Sequence, residues 1–235
     1  MYFDFNEKSS ILLFFMLHGV VFGLLLLLKG LQNQDKASLW LSAFTFLSSL
    51  YIAPFVFGYA GWYTASGYRE ALFYIPFQQL FLLPPVLYFY CKTLLDRSFV
   101  FSKKDYLHFL PATLYLLYSA LVFVTDTVIL NDIYFYRDGR DKDFSLWYQI
   151  VGFFMLLIYL LKSLQTYNRY KKITYDTLSF ADAFLFTWAK RFLVAFLLLL
   201  SIRLLFFIIN PEWGEFGKKF WYYCSFSVLF YYVSI

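Results

Sequence analysis

The chain has 235 residues, of which 61% are hydrophobic, 26% aromatic and only 15% charged. With a mean hydropathy of +0.60, this excludes a water-soluble globular domain and points to an all-α, polytopic membrane bundle, one domain over the whole chain. The formal net charge of +5 would suit a nucleic-acid ligand, but the charges fall in the links between apolar runs, where they set orientation instead.

The N-terminal stretch MYFDFNEKSS lacks the basic region and cleavage site of a signal peptide, so the first apolar run reads as a retained helix. That first predicted span covers 10–28 and closes on Lys29 and Gly30. The second covers 39–57, with Pro54 expected to kink its last turn. The third covers 71–95 and carries Pro76, Pro84 and Pro85. Three prolines remove three backbone donors, so a kink or unwound turn is expected near 83–85, with Gln78 or Gln79 bonding the freed carbonyls.

The fourth span, 107–130, tolerates Pro111 near its first turn. The most polar stretch follows, NDIYFYRDGRDKDFS, and then the fifth span, 146–167, with Ser145 as its expected N-cap. The link NRYKKITYDTLSFADAF is basic and amphipathic and reads as lying on the membrane surface. The sixth span, 190–209, contains FLVAFLLLLSIRLLFFII, about 27 Å of helix and enough to cross a bilayer core. Its one charge is Arg203. The seventh, 220–235, ends in YYVSI without a polar cap or basic cluster, and the natural chain is expected to continue.

Seven transmembrane helices put the termini on opposite sides. One side holds Lys29, Lys36, Lys92, Arg97, Lys103, Lys104, Lys162, Arg169, Lys171, Lys172, Lys190 and Arg191. The other holds Lys8, Arg69, Arg137, Arg140, Lys142, Lys218 and Lys219. Twelve against seven places the N-terminus outside and the C-terminus in the cytoplasm.

With that topology, the polar residues inside the spans gather in the outer half: His18, Gln78, Gln79, Asp126, Gln149 and Arg203. Arg203 stays charged and needs an acceptor. Asp126 is the expected partner and Glu70, at the outer start of the third span, the alternative. Two arrangements meet the pattern. One is a ligand or switch network open to the outside. The other is structural glue, in which Arg203 pairs with Asp126 and the glutamines bond backbone freed by the prolines. The link YFYRDGRDKDF also has two readings. It is a solvated loop, or an outer lid in which Tyr134, Tyr136, Arg137 and Arg140 read an anionic or aromatic ligand. Asp138, Asp141 and Asp143 lack the spacing of a calcium-binding EF-hand. Tyr (22) and Phe (32) exceed what interfacial belts need, so the surplus rings should pack between helices or line a pocket.

No H-E-x-x-H, G-x-S-x-G or P-loop pattern is present, so no catalytic residue, metal site or cofactor is expected. His18 and His108 fall near opposite ends of the bundle, and Cys91 and Cys224 read as buried, inert thiols. The last span has no lysine for a retinal Schiff base, and no internal repeat pairs two broken helices as in many transporters.

The segments FFMLHGVVFGLLLLLKG, LYIAPFVFGYAGWY, YREALFYIPFQQLFLLPPVLYFY, FVFSKKDYLHFLPATLYLLYS, YFYRDGRDKD and NPEWGEFGKKFWYY together resemble the N-terminal seven-helix region of membrane-bound AraC-type regulators of Bacteroidetes-like bacteria. The resemblance covers nearly the whole chain. It departs at Pro84 and Pro85, where a glycine before the proline would be expected. It implies a bacterial inner membrane and a cytoplasmic helix-turn-helix domain after position 235. DNA would then be a partner only through that domain, with pairing into a homodimer by analogy. The function so implied is a sensor: an unidentified small-molecule or envelope signal shifts helices in the lipid bilayer and rearranges the cytoplasmic effector. The alternatives are a small-molecule carrier that uses the polar outer half, and a structural subunit of a membrane complex.

Overall fold

A computed structural model describes residues 3–96, 98–177, 183–206 and 218–234. Among these there are eight α-helices and no strand.

Helix α1, Glu7–Gln32, begins at a capping box. The Asn6 side chain accepts from the Ser9 amide, and Ser9 Oγ accepts from the Asn6 amide, both at 3.0 Å. This cap moves the start ahead of the predicted position 10. Helix α2, Lys36–Tyr59, is capped by Asp35 and continues through Pro54 to its end. The two helices pack closely because Gly19 has no side chain; a Cβ there would sit 1.9 Å from Ser49 Oγ and 2.7 Å from the Phe230 ring.

The burial pattern of α1 is inverted relative to a helix of a soluble bundle. Helix α1 buries Ser9, Leu12 and three glycines, while Phe14, Leu17, Val21, Leu24 and Leu28 lie on the surface. Helix α2 buries Ser42, Thr45, Ser48 and Ser49. Thr45 and Ser49 return their hydroxyls to the carbonyls of Leu41 and Thr45, at 2.7 and 3.0 Å. Apolar outside with small residues inside is the pattern of helices packed in lipid. Among the described residues four helical stretches are long and apolar enough to cross a membrane: Glu7–Gln32, Lys36–Tyr59, Lys103–Leu130 and Leu146–Lys172. The chain is thus all-helical and suited to membrane association.

The third predicted span is broken, but not where expected. Helix α3 covers Ser66–Tyr74 and α4 covers Leu83–Leu95, with 75–82 outside any helix. The break starts beside Pro76. Pro84 and Pro85 instead occupy the first turn of α4, where a missing N–H costs nothing. The fourth predicted span is composite: a 3-10 turn Lys103–Phe109, α5 Leu110–Val124, and a π-helical turn Thr125–Leu130 that stops at Asn131 with φ +50°.

Helix α6, Leu146–Thr177, runs on past the predicted end at 167, so the first part of the supposed surface link continues this helix. Helix α7, Ala183–Leu204, starts ahead of the predicted 190, and α8 covers Lys219–Ser234. The predicted end of the sixth span and the turn after it, 207–217, lie outside the described residues. Cys91 is buried as expected, but Cys224 is only half-buried.

Helix α2 packs against α1, α4 and α8; α4 also meets α6 and α7. The core is aromatic: Phe44, Phe55, Phe89, Tyr148, Tyr222 and Tyr223 are all fully enclosed, and Phe55 stacks on Tyr223 at 3.6 Å. One end of the bundle gathers the start of α1, the end of α2, α3, the 131–145 link and the start of α8, with Lys8 Nζ over the rings of Tyr59 and Phe220. At the other end Lys36 Nζ bonds the Phe99 carbonyl at 2.9 Å, and Tyr170 on α6 bonds Asp96 at 2.5 Å.

Candidate functional site

Unwinding 75–82 strips backbone groups of their helical partners inside an apolar bundle. Each buried orphan would cost about 1–3 kcal/mol. Two other elements supply part of what is missing. Asp143, from the 3-10 turn Lys142–Phe144, accepts from the Gln78 amide at 2.8 Å and from the Tyr115 hydroxyl of α5 at 2.5 Å. Tyr148 of α6 accepts from the Leu80 amide at 3.0 Å and donates to the Gln78 carbonyl. Within the break, Gln79 Nε2 donates to the Pro76 carbonyl at 2.5 Å, as the prolines led one to expect. Gly152 lets α6 approach this closely, since a Cβ there would meet Leu80 at 2.8 Å.

The Gln78 side chain extends the network in two directions. Its Nε2 donates to the Tyr223 hydroxyl of α8 at 2.8 Å. Its Oε1 accepts from Gln149 Nε2 at 2.8 Å, and Gln149 Nε2 also reaches the Asp143 carbonyl at 2.6 Å. Arg203 Nη2 of α7 then donates to Gln149 Oε1 at 2.6 Å. A run of hydrogen bonds therefore joins the 131–145 link, the break, α6, α7 and α8. Gln78 is fully buried and Asp143 is 2% exposed. Beneath Arg203 a cavity of ≈ 30 Å³ lies between Tyr51, Leu80, Phe196 and Tyr222. That is room for about two waters.

The structure joins Gln78, Gln149 and Arg203 by hydrogen bonds, with Gln79 next to Gln78 in the break. It separates the others. Asp126 is not the partner of Arg203: its Oδ2 takes the Tyr74 hydroxyl at 2.8 Å and the Phe135 amide at 3.2 Å. The ion pairs among the described residues are Lys92–Asp105 and Arg137–Asp132. Depth along the membrane matched Arg203 to Asp126, but the π-helical turn carries Asp126 round to the α3 side. Glu70 shares that side, one helical turn before Tyr74. His18 lies apart on the α1–α8 face, between the rings of Phe22 at 4.2 Å and Tyr231 at 4.4 Å.

The four residues named for an outer lid divide. Tyr134 and Arg140 are exposed, and Arg137 turns outward to pair with Asp132 at 2.8 Å. Only Tyr136 points inward, against Phe73 and Tyr74. What enters instead is Lys142, whose Nζ lies 4.6 Å from the Phe135 and Tyr136 rings and 4.8 Å from Tyr118. Burial pushes its ammonium down to about 8, against the pull of Asp126, Asp138 and Asp141. Burial raises Asp141, with Asp143 beside it adding to the effect. Burial also raises Asp143, opposed by its bonds from Tyr115 and the break amides. Lys142 Nζ, Asp141 Oδ2, Asp126 Oδ1 and Tyr63 OH are enclosed here without a protein hydrogen-bond partner.

The residues missed from sequence are Asp143, Asp141, Lys142, Tyr115, Tyr148 and Tyr223. The surplus of tyrosines was the available signal, and Tyr51, Tyr148, Tyr222 and Tyr223 are indeed packed between helices. What the arrangement can do follows from its parts: it fixes the relative positions of an end link and four helices through directional bonds. No family model matches the chain, and neither does any curated protein or solved structure.

Proposed function

We propose that the chain is a membrane-embedded signal-sensing domain in which the outer link controls the position of the last helix through the broken one. The observation that carries this is the double attachment of Gln78: its amide is held by Asp143 of the link, and its side chain by Tyr223 of α8. A signal that lifts the link takes Asp143 away and orphans a buried amide, at about 1–3 kcal/mol. A signal that binds the released state better by about 1–3 kcal/mol would offset that cost and change the ratio of the two states roughly 5- to 150-fold.

In this reading the chain crosses a bacterial inner membrane seven times, with α3, the break and α4 forming one interrupted crossing. Support comes from the twelve Lys and Arg, from Lys29 to Arg191, at one set of span ends against seven at the other, a bias that favours the N-terminus outside and the C-terminus in the cytoplasm. The resemblance to AraC-type membrane regulators supplies the effector: a helix-turn-helix domain beyond position 235 that binds DNA, acting as a homodimer.

The test uses the full-length protein with a transcriptional reporter. Asp143→Asn, Gln78→Leu and Tyr223→Phe should each shift basal output, and Asp143→Asn with Tyr223→Phe should shift it by less than the sum. Protein levels and thermal unfolding are followed in parallel. Destabilised variants with unchanged output would leave the network as structural glue and refute the sensor reading.

A further inference from the structure

At the opposite end of the bundle a groove of ≈ 250 Å³ opens between α6 and α7. Its two walls carry a matched gradient. On α6 the lining passes from Leu164 to Asn168 and Lys171; on α7 it passes from Leu197 and Leu193 to Lys190. Seven residues of helix separate the apolar from the basic end of each wall, about 10 Å. Because a short link, 178–182, joins the two helices, they run antiparallel and both lysines stand at the same end. From Leu146 to Lys171 the helix climbs roughly 38 Å, beyond the ~30 Å of a hydrocarbon core. The ammonium groups therefore reach headgroup level when the apolar start of α6 sits at the far boundary. Lys171, Lys190, Val194 and Leu197 are all exposed.

We propose that this groove is a binding site for one anionic phospholipid. Its phosphate lies between Lys171 and Lys190 with the Asn168 amide donating, and an acyl chain follows Leu193, Val194 and Leu197 inward. Charge complementarity selects the headgroup, and the apolar floor selects a lipid over a free phosphate. The inference rests on the bilayer placement of α6 and is independent of the signalling role.

The test is native mass spectrometry of the detergent-purified chain titrated with phosphatidylglycerol, phosphatidylcholine of the same acyl chains, or glycerophosphate. Each lysine near an anionic headgroup is worth about fivefold in affinity. Phosphatidylglycerol should therefore be retained about 25-fold better than phosphatidylcholine, with no retention of glycerophosphate. K171Q/K190Q should remove that preference, while K103Q/K104Q, at the same end but outside the groove, should keep it. L197W, which fills the floor without changing charge, should weaken both lipids. Equal retention of the two lipids would overturn the site. So would loss of preference in both lysine pairs, which would mean diffuse surface attraction, or binding of glycerophosphate alone. Circular dichroism confirms that each variant remains helical, and reporter output of the full-length protein separates this result from the signalling reading.

Discussion

Asp143→Ala tests the support of the broken helix most directly. Asp143 accepts from the Gln78 amide at 2.8 Å and the Tyr115 hydroxyl at 2.5 Å, and it is 2% exposed. Its removal orphans two donors at about 1–3 kcal/mol each. It also removes a carboxylate whose own burial is unfavourable, which returns part of that cost. The net loss is about 2 kcal/mol. For a chain of this size each kcal/mol lowers Tm by roughly 2–4 °C, so unfolding should begin about 4–8 °C earlier. Asp143→Asn keeps one acceptor and should lose about half as much. Asp138→Ala, which loses an exposed bond from the Arg140 amide and a long-range attraction to Lys142, is the control and should stay within ~0.5 kcal/mol. The assay is thermal unfolding in nanodiscs at fixed pH. If Asp143→Ala melts with Asp138→Ala, the break does not depend on Asp143 and the coupling argument fails with it.

Four further outcomes are expected. Because burial raises Asp141 and Asp143, the fold favours their protonated forms; stability should fall as pH rises above their ordinary value of 3.8, and Asp141→Asn should flatten that fall. Lys142 is lowered from 10.5 to about 8, so stability should rise again between those values, a rise that Lys142→Met should abolish; pH-dependent melting curves check both limbs. In double-mutant cycles on stability, Arg203→Ala with Gln149→Ala should depart from additivity by more than ~0.5 kcal/mol, whereas Arg203→Ala with Asp126→Asn should be additive. In intact cells an impermeant thiol reagent should label Gly139→Cys and spare Ser102→Cys; labelling of position 102 alone would reverse the orientation.

The long apolar helices were legible because their composition has no other stable solution. The break was legible in kind, since three prolines in one span cannot be accommodated, but not in place. Counting prolines cannot tell one that interrupts a helix from two that start the next, and Pro84 and Pro85 do the latter. Gln78, Gln149 and Arg203 stood out as polar groups in apolar runs. Asp143 did not, because in a loop of alternating charges nothing marks the carboxylate that turns inward. The pairing of Arg203 with Asp126 failed for a related reason: depth is readable from residue counting, but azimuth around a helix that changes its own pitch is not.

The dependence of the break on distant partners bears on how the protein is made. Helices α3 and α4 have 9 and 13 residues, each short of the ~20 that a free-standing crossing needs. The amides between them are met by Asp143 and Tyr148, 65 and 68 residues later in the chain. At about 5–20 residues per second, a ribosome takes on the order of 3–13 s to produce those partners. Until then this segment has only its internal bonds, such as that of Gln79 to the Pro76 carbonyl, to hold it in an apolar phase. The region from 66 to 95 should therefore stay with the insertion machinery after its neighbours have left it, and settle into place only once the start of α6 has emerged.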